Sequence, residues 1–246
     1  SAESHPEAIK AQTILARTYI CRQMEQMGLE EEIPESSLGL EKNRNNQMEP
    51  LWGTEIFPEY YSRFEKAARE TEGVTLTWEG HFIDPLFTHT TTGFTRPGDE
   101  EHPYLASVSC VHDPEEEGFV QEMIMQPEEA AKRVSAIPAG DGSFRTIPPE
   151  AFPEQVQIIS RDEAGYALQL QIGGFPFNGE EVRLALGLPS ACFELNRHGS
   201  DVRFSVRGRG HGWGLSQTEA QALAEDGWSA EAILEYFYTG ISFSSE

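Results

Sequence analysis

The segment Gly208-Arg209-Gly210-His211-Gly212-Trp213-Gly214-Leu215-Ser216-Gln217 sets one imidazole among four glycines. Glycines let a backbone approach a ligand closely, so His211 is placed to hydrogen-bond a ligand or a carboxylate. Ser216 and Gln217 open a helical stretch. Ser216 serves there either as an N-cap or as a ligand contact. The Gln217 amide both donates and accepts, which reading hydroxyls and N-acetyl groups requires. Trp213 offers its face to a sugar ring or to the core. A second group lies near the start of the chain, where Lys10, Gln12 and Arg17 share one helical stretch. Arg17 sits among small and apolar residues, so either a binding site or a buried ion pair must hold its charge. A third group is the loop Thr91-Thr92-Gly93-Phe94-Thr95-Arg96, where the hydroxyls of Thr92 and Thr95 and the guanidinium of Arg96 suit the wall of a groove.

The elements that position these groups are legible as patterns. His5-Pro6-Glu7 starts a helix, with proline and an acid in the first turn, and Gly28 stops it after Met27. Ala8, Ala11, Leu15 and Tyr19 share one face, with Ile9, Ala16 and Ile20 beside it, which predicts a buried central helix. A polar, irregular stretch covers 30–50, and a second helix is predicted from Pro58 to Glu72. Val74–Trp78 and His81–Ile83 form a hairpin about Glu79-Gly80. The stretch 88–98 is too polar for a core strand. A short helix is expected over Pro127–Val134. Pro and Gly cluster between Pro138 and Pro153, as at an internal boundary or a long loop. Five strands follow, over 155–161, 166–172, 181–186, 192–197 and 202–207, and helices over 216–225 and 229–238 end the chain. The sum is an α+β fold of antiparallel strands with flanking helices.

With 246 residues the chain is long enough for one large domain or two small ones. Its 41 acidic and 18 basic side chains give a formal charge of −23. Such a field repels phosphate backbones and argues against nucleic acid as a partner, while a neutral sugar chain feels little of it. Solubility alone is the competing reason for that acidity. Cys21, Cys110 and Cys192 lie far apart and make neither a disulfide framework nor a zinc motif. His89, His102, Cys110 and His112 are metal candidates by composition only, without regular spacing, and no cofactor is expected. There is no apolar run of membrane-spanning length and no signal peptide.

Pro6-Glu7-Ala8-Ile9-Lys10-Ala11-Gln12 with Ala16-Arg17-Thr18-Tyr19, and the 208–217 segment, are the specific signatures. They resemble the "EALKAQ…ARTY" and "GxGHGVGMSQ" motifs of the stage II sporulation protein D and LytB amidase-enhancer family. Weaker matches keep the same order between them: Thr71-Glu72-Gly73 with Leu76, Thr92-Gly93 with Thr95-Arg96, Pro103-Tyr104-Leu105 with Ser107-Val108, and Glu181-Val182-Arg183 with Leu186-Gly187-Leu188. The chain departs from the pattern at Phe94, where Gly-Gly is usual, and at Trp213, where a smaller apolar residue is common. The resemblance implies one domain over 1–246.

The resemblance also implies a lytic transglycosylase acting on peptidoglycan glycan strands, denuded of stem peptides, during engulfment in sporulation. One carboxyl suffices for that reaction. It protonates the leaving oxygen, then takes the proton of the muramic acid 6-hydroxyl as that oxygen closes onto the anomeric carbon. In the family this glutamate precedes "EALKAQ" by a few residues, which places it just ahead of Ser1. Glu3 is the nearest acid in the sequence, as the catalytic group or as a favourable charge at the helix start. His211 is the second catalytic candidate. A catalytically silent wall-binding or amidase-activating module is the alternative. The implied location is the cell envelope outside the cytoplasm, anchored to the membrane through a segment outside this sequence, with wall hydrolases such as an amidase as partners.

Overall fold

The computed structural model describes residues 4–29, 32–34, 37–38 and 55–245. Glu3 and most of the irregular stretch 30–50 lie outside the described residues. The chain divides into two compact units: one of residues 1–86, 98–106 and 220–246, the other of 87–97 and 107–219. The segment 138–153 lies wholly within the second unit. Both units are mixed α and β, with antiparallel sheets.

In the first unit, α1 (Pro6–Met27) starts on an N-cap from His5 and stops at Gly28, whose backbone is left-handed. The helix buries Ala8, Ile9, Ala11, Ile14, Leu15 and Thr18 against α2 (Phe57–Glu70), β1 (Val74–Trp78), β2 (His81–Phe82) and a C-terminal helix, Ala230–Phe237. The buried face is rotated from the expected one. Ala16 is exposed, and the half-buried Tyr19 donates to the Leu38 carbonyl at 2.7 Å. The reason is Thr18, which turns inward to accept from the Leu76 N–H at 2.9 Å and so fixes β1 on the helix. β1 and β2 form the expected hairpin, with Glu79 and Gly80 both at positive φ, as the twist-matched two-residue turn requires.

The second unit opens with β3 (Phe87–Thr88), which pairs in parallel with the late strand Leu215–Ser216. β4 (Val120–Met125) follows, a strand the sequence reading passed over because its half-exposed residues alternate weakly in polarity. α3 (Pro127–Ser135) buries Ala130, Ala131 and Val134. β5 (Val156–Arg161), β6 (Ala167–Ile172) and β7 (Phe175–Asn178) form one antiparallel sheet. β7 is an outside strand carrying Pro176, which has no N–H, and the Pro176 carbonyl accepts from Arg145 Nη1 at 3.0 Å.

The strand expected over 181–186 is instead α4 (Gly179–Leu186). The Asn178 side chain accepts from the Glu180 and Glu181 N–H groups as an N-cap. Val182 and Leu186, four apart, are the buried pair. Asn178-Gly179 therefore caps a helix. β8 (Phe193–His198) and β9 (Asp201–Arg207) complete a sheet with β4 in the order β4-β9-β8. The core under these sheets joins Phe152, Leu170, Ile172, Leu186, Phe193 and Phe204.

β10 (Leu215–Ser216) leads into α5 (Gln217–Glu225), followed by α6 (Ala230–Phe237), whose N-cap is Ser229, and β11 (Ser242–Ser245) beside β1. No helix among the described residues is long and apolar enough to cross a membrane.

Candidate functional site

The second unit brings the threonine-rich loop and the glycine-rich motif together. Thr90 and Arg209 exchange backbone hydrogen bonds at 3.0 and 2.8 Å, and the Arg96 N–H donates to the Gly212 carbonyl at 2.8 Å. Thr88, Thr90, Thr91, Thr95 and Arg96 of this polar stretch are buried, with partners for their polar groups. Thr92 Oγ1 donates to the Ala164 carbonyl at 2.6 Å. Thr95 Oγ1 accepts from the Val108 N–H at 2.9 Å.

Arg96 is 3% exposed and is the centre of this arrangement. Its guanidinium meets Asp162 at 2.5 Å and Glu180 at 3.0 Å, and donates to the His211 carbonyl at 3.2 Å. It lies 3.7 Å from the centre of the Trp213 ring and 4.8 Å from that of Tyr166. One face of Trp213 is thus taken by a cation, and its indole N–H donates to the Pro97 carbonyl at 3.1 Å. Arg96 braces two loops, with both its charge and its planar face engaged.

His211 is fixed by the same loops. Its Nδ1 accepts from the Trp213 N–H at 3.1 Å, and the Phe87 backbone carbonyl shares a hydrogen bond with the ring. Burial pushes the imidazole below its usual range; Glu180 opposes this, while Arg183 and Arg96 add to it. A neutral ring with Nδ1 as acceptor carries its proton on Nε2. The sign for stability follows directly. On acidification the unfolded chain takes up this proton before the folded one does, so the contribution is full above about 6.5 and is lost as pH falls below it. His89 is also pushed down by burial and acts in the same direction. Asp113 is pushed up by burial and acts in the opposite one. His211→Asn should therefore show a smaller loss of urea midpoint between pH 7.5 and 5.5 than the parent; an equal loss would assign the dependence elsewhere.

Ser216 is fully buried, and the contacts it makes are with the chain itself. Its hydroxyl donates to the Asp113 carboxylate at 2.8 Å and accepts from the Glu219 N–H at 3.3 Å. The same carboxylate accepts from the Thr91 N–H at 2.5 Å and the Thr91 hydroxyl at 2.6 Å. Burial raises Asp113 above the usual carboxylate range, outweighing these hydrogen bonds. Gln217 is half-buried at the head of α5.

In the first unit, Lys10 bridges Glu7 at 2.7 Å and Glu70 at 2.8 Å. Gln12 is half-buried on α1. Among the described residues Arg17 enters no ion pair; it donates to the carbonyls of Thr71 at 2.5 Å, Val74 at 2.9 Å and Ala68 at 3.3 Å. Ala68 and Thr71 lie where α2 ends and Val74 opens β1, and a guanidinium fork suits such converging carbonyls. Burial pushes Glu7 up, but the Lys10 ammonium and the Ala230 N–H outweigh it and hold the carboxyl below its usual range. Such a carboxylate is unsuited to giving up a proton as a general acid.

Sequence reasoning missed Asp113, Asp162, Glu180 and Tyr166, whose partners are remote in the chain. It also passed over Arg209 inside the motif. The exposed Arg209, with His89, Thr90, Glu116 and Gly208, lines a 220 Å³ cleft where the two loops meet. Among the described residues no group of three or more His, Cys, Asp or Glu could hold a metal ion. The four metal candidates have other surroundings: His89 bonds Thr90, His102 bonds Asp99, His112 bonds Glu219, and Cys110 is buried with its thiol pushed up.

The family model described as "Stage II sporulation protein" matches residues 1–78. Stage II sporulation protein D of Bacillus subtilis (strain 168) is 29% identical over 97% of this chain and 69% of its own length. That of Bacillus amyloliquefaciens is 27% identical over 98% of this chain and 70% of its own length. The chain is similar to stage II sporulation protein D over nearly its whole length. An amidase enhancer of Bacillus subtilis is 23% identical over 97% of this chain and 38% of its own length. The stage II sporulation protein D likeness thus spans both units, including the parts that carry the 208–217 motif.

Proposed function

We propose that this chain is a peptidoglycan lytic transglycosylase of the envelope, acting on peptide-free glycan during sporulation. The observation that carries the reading is the likeness to stage II sporulation protein D over 97–98% of the chain. The acid is Glu3, or the glutamate that the resemblance places ahead of Ser1. Four of the described carboxyls near the two motifs are engaged: Glu7 by Lys10, Asp113 by Thr91 and Ser216, and Asp162 and Glu180 by Arg96. The acid protonates the glycosidic oxygen and the anomeric carbon–oxygen bond breaks. The 6-hydroxyl oxygen of the same muramic acid then bonds that carbon and returns its proton to the carboxylate, so no water is consumed.

Arg96, Trp213, His211 and Ser216 act in this reading as positioning residues that hold the loops around the 220 Å³ cleft. Thr92, Thr95 and Gln217 support the same framework within the second unit, Lys10, Arg17 and Gln12 serve α1 in the first, and Arg209 and His89 face the polymer. A second reading, an amidase-activating wall module, draws support from the engaged state of these carboxyls and from the amidase enhancer likeness.

Mass spectrometry of peptide-free glycan after incubation with the protein tests the choice. Products ending in 1,6-anhydro-N-acetylmuramic acid are expected, and Glu3→Gln should lower their yield at least about a hundredfold if Glu3 is the acid. Reducing-end products would mean hydrolysis, and intact strands that co-sediment with the protein would support the module.

A further inference from the structure

The outer face of the β5–β6–β7 sheet has an unusual composition for so acidic a chain. Its two cross-strand rows are Gln157–Gln171–Pro176 and Ser160–Gln169–Asn178. Val156, Ile158, Leu170, Ile172 and Phe177 point the other way, towards the core. The outer rows carry no charge, in a protein of formal charge −23, whereas solvated sheet faces are normally dressed with lysine and glutamate. Gln157, Gln169, Gln171 and Asn178 are all exposed.

This face runs into a cleft of 310 Å³, a volume at the lower end of small-ligand sites. Leu168 and Phe177 supply apolar walls, Gln169 and Asn178 amides, and Arg145 and Glu181 one charge of each sign. Arg145 is pinned by the Pro176 carbonyl at 3.0 Å and lies 5.0 Å from the centre of the Phe177 ring. The Glu181 carboxylate enters no ion pair among the described residues. The cleft is therefore neutral overall, with oriented donors and acceptors beside apolar surface. The Gln169 amide, which donates and accepts at once, matches hydroxyl and acetamido groups, and Asn178, whose Oδ1 caps α4, adds its NH₂ as a donor. The apolar walls match an acetyl methyl or the face of a pyranose.

We propose that this face and cleft form a second binding surface for a neutral, N-acetylated glycan chain, distinct from the 208–217 motif. The polymer's identity rests on the proposed function; the surface and its neutrality do not. Its role is to hold the strand while the motif acts elsewhere along it, which raises effective concentration without any new chemistry.

The test is an NMR titration of the ¹⁵N-labelled chain with tetra-N-acetylchitotetraose. Backbone amides of 168–171 and 177–178 and the side-chain amides of Gln157 and Gln169 should shift. The Gln157→Ala/Gln169→Ala double variant, at two exposed positions, should bind about tenfold more weakly with an unchanged melting temperature. Absent shifts at these residues, wild-type affinity in the double variant, or the same shifts produced by alanylalanine instead of the sugar would each overturn the proposal. Binding here with no anhydro product from glycan would sink the proposed reaction and leave this surface standing. Product formation with an unshifted face would do the reverse.

Discussion

Replacing Arg96 by methionine should destabilise the protein by about 3–5 kcal/mol, the cost of breaking a buried ion pair from one side. The substitution keeps most of the stem's volume but leaves Asp162 and Glu180 with no guanidinium between them. It also removes the cation held 3.7 Å from the centre of the Trp213 ring. Urea denaturation read at Trp fluorescence would measure it. A loss under about 1 kcal/mol, the range of an exposed pair, would show that the arrangement is not closed to water. Arg96→Lys should recover little, because a point charge cannot reach two carboxylates and cover an indole together.

Gly212→Ala should be similarly damaging, at about 2–4 kcal/mol, from overpacking and backbone strain combined. Gly212 holds φ at +86°, and a Cβ there would fall 2.6 Å from the Tyr166 hydroxyl. Tyr166 is fully buried and has no room to withdraw. The glycine is thus demanded by packing within the second unit, independently of any ligand. A thermal melt distinguishes the two demands. A drop of several degrees in the absence of glycan supports packing, and an unchanged melt with altered glycan affinity would assign Gly212 to ligand approach.

Local signals were legible where the chain carries its own punctuation. His5-Pro6 and Gly28 bound α1, and Glu79-Gly80 turns the first hairpin, because each depends on residues close in sequence. The pattern failed at 181–186, where apolar residues alternate and also recur four apart; the Asn178 cap decides for the helix. The site was legible as a list of residues and not as an arrangement. Arg96 meets Asp162 and Glu180 across 66 and 84 residues, and Asp113 meets Ser216 across 103. Nothing local marks Asp113 among the acids of 113–117 as the one that turns inward. Loop residues that looked like groove wall, Thr95 and Arg96 above all, are interior because their polar groups are matched by the chain itself.

The Arg145–Pro176 contact bears on how the protein behaves at high concentration. An outside strand ordinarily presents a row of open donors and acceptors on which a second chain can build, and that is how sheets join into aggregates. On β7 the proline removes one donor, the guanidinium occupies that proline's own carbonyl, and Asn178, two residues on, already caps α4. A strand arriving from another molecule finds no ladder to continue. The exposed rings of Phe144 and Phe175 beside it can then stay on the surface without seeding self-association.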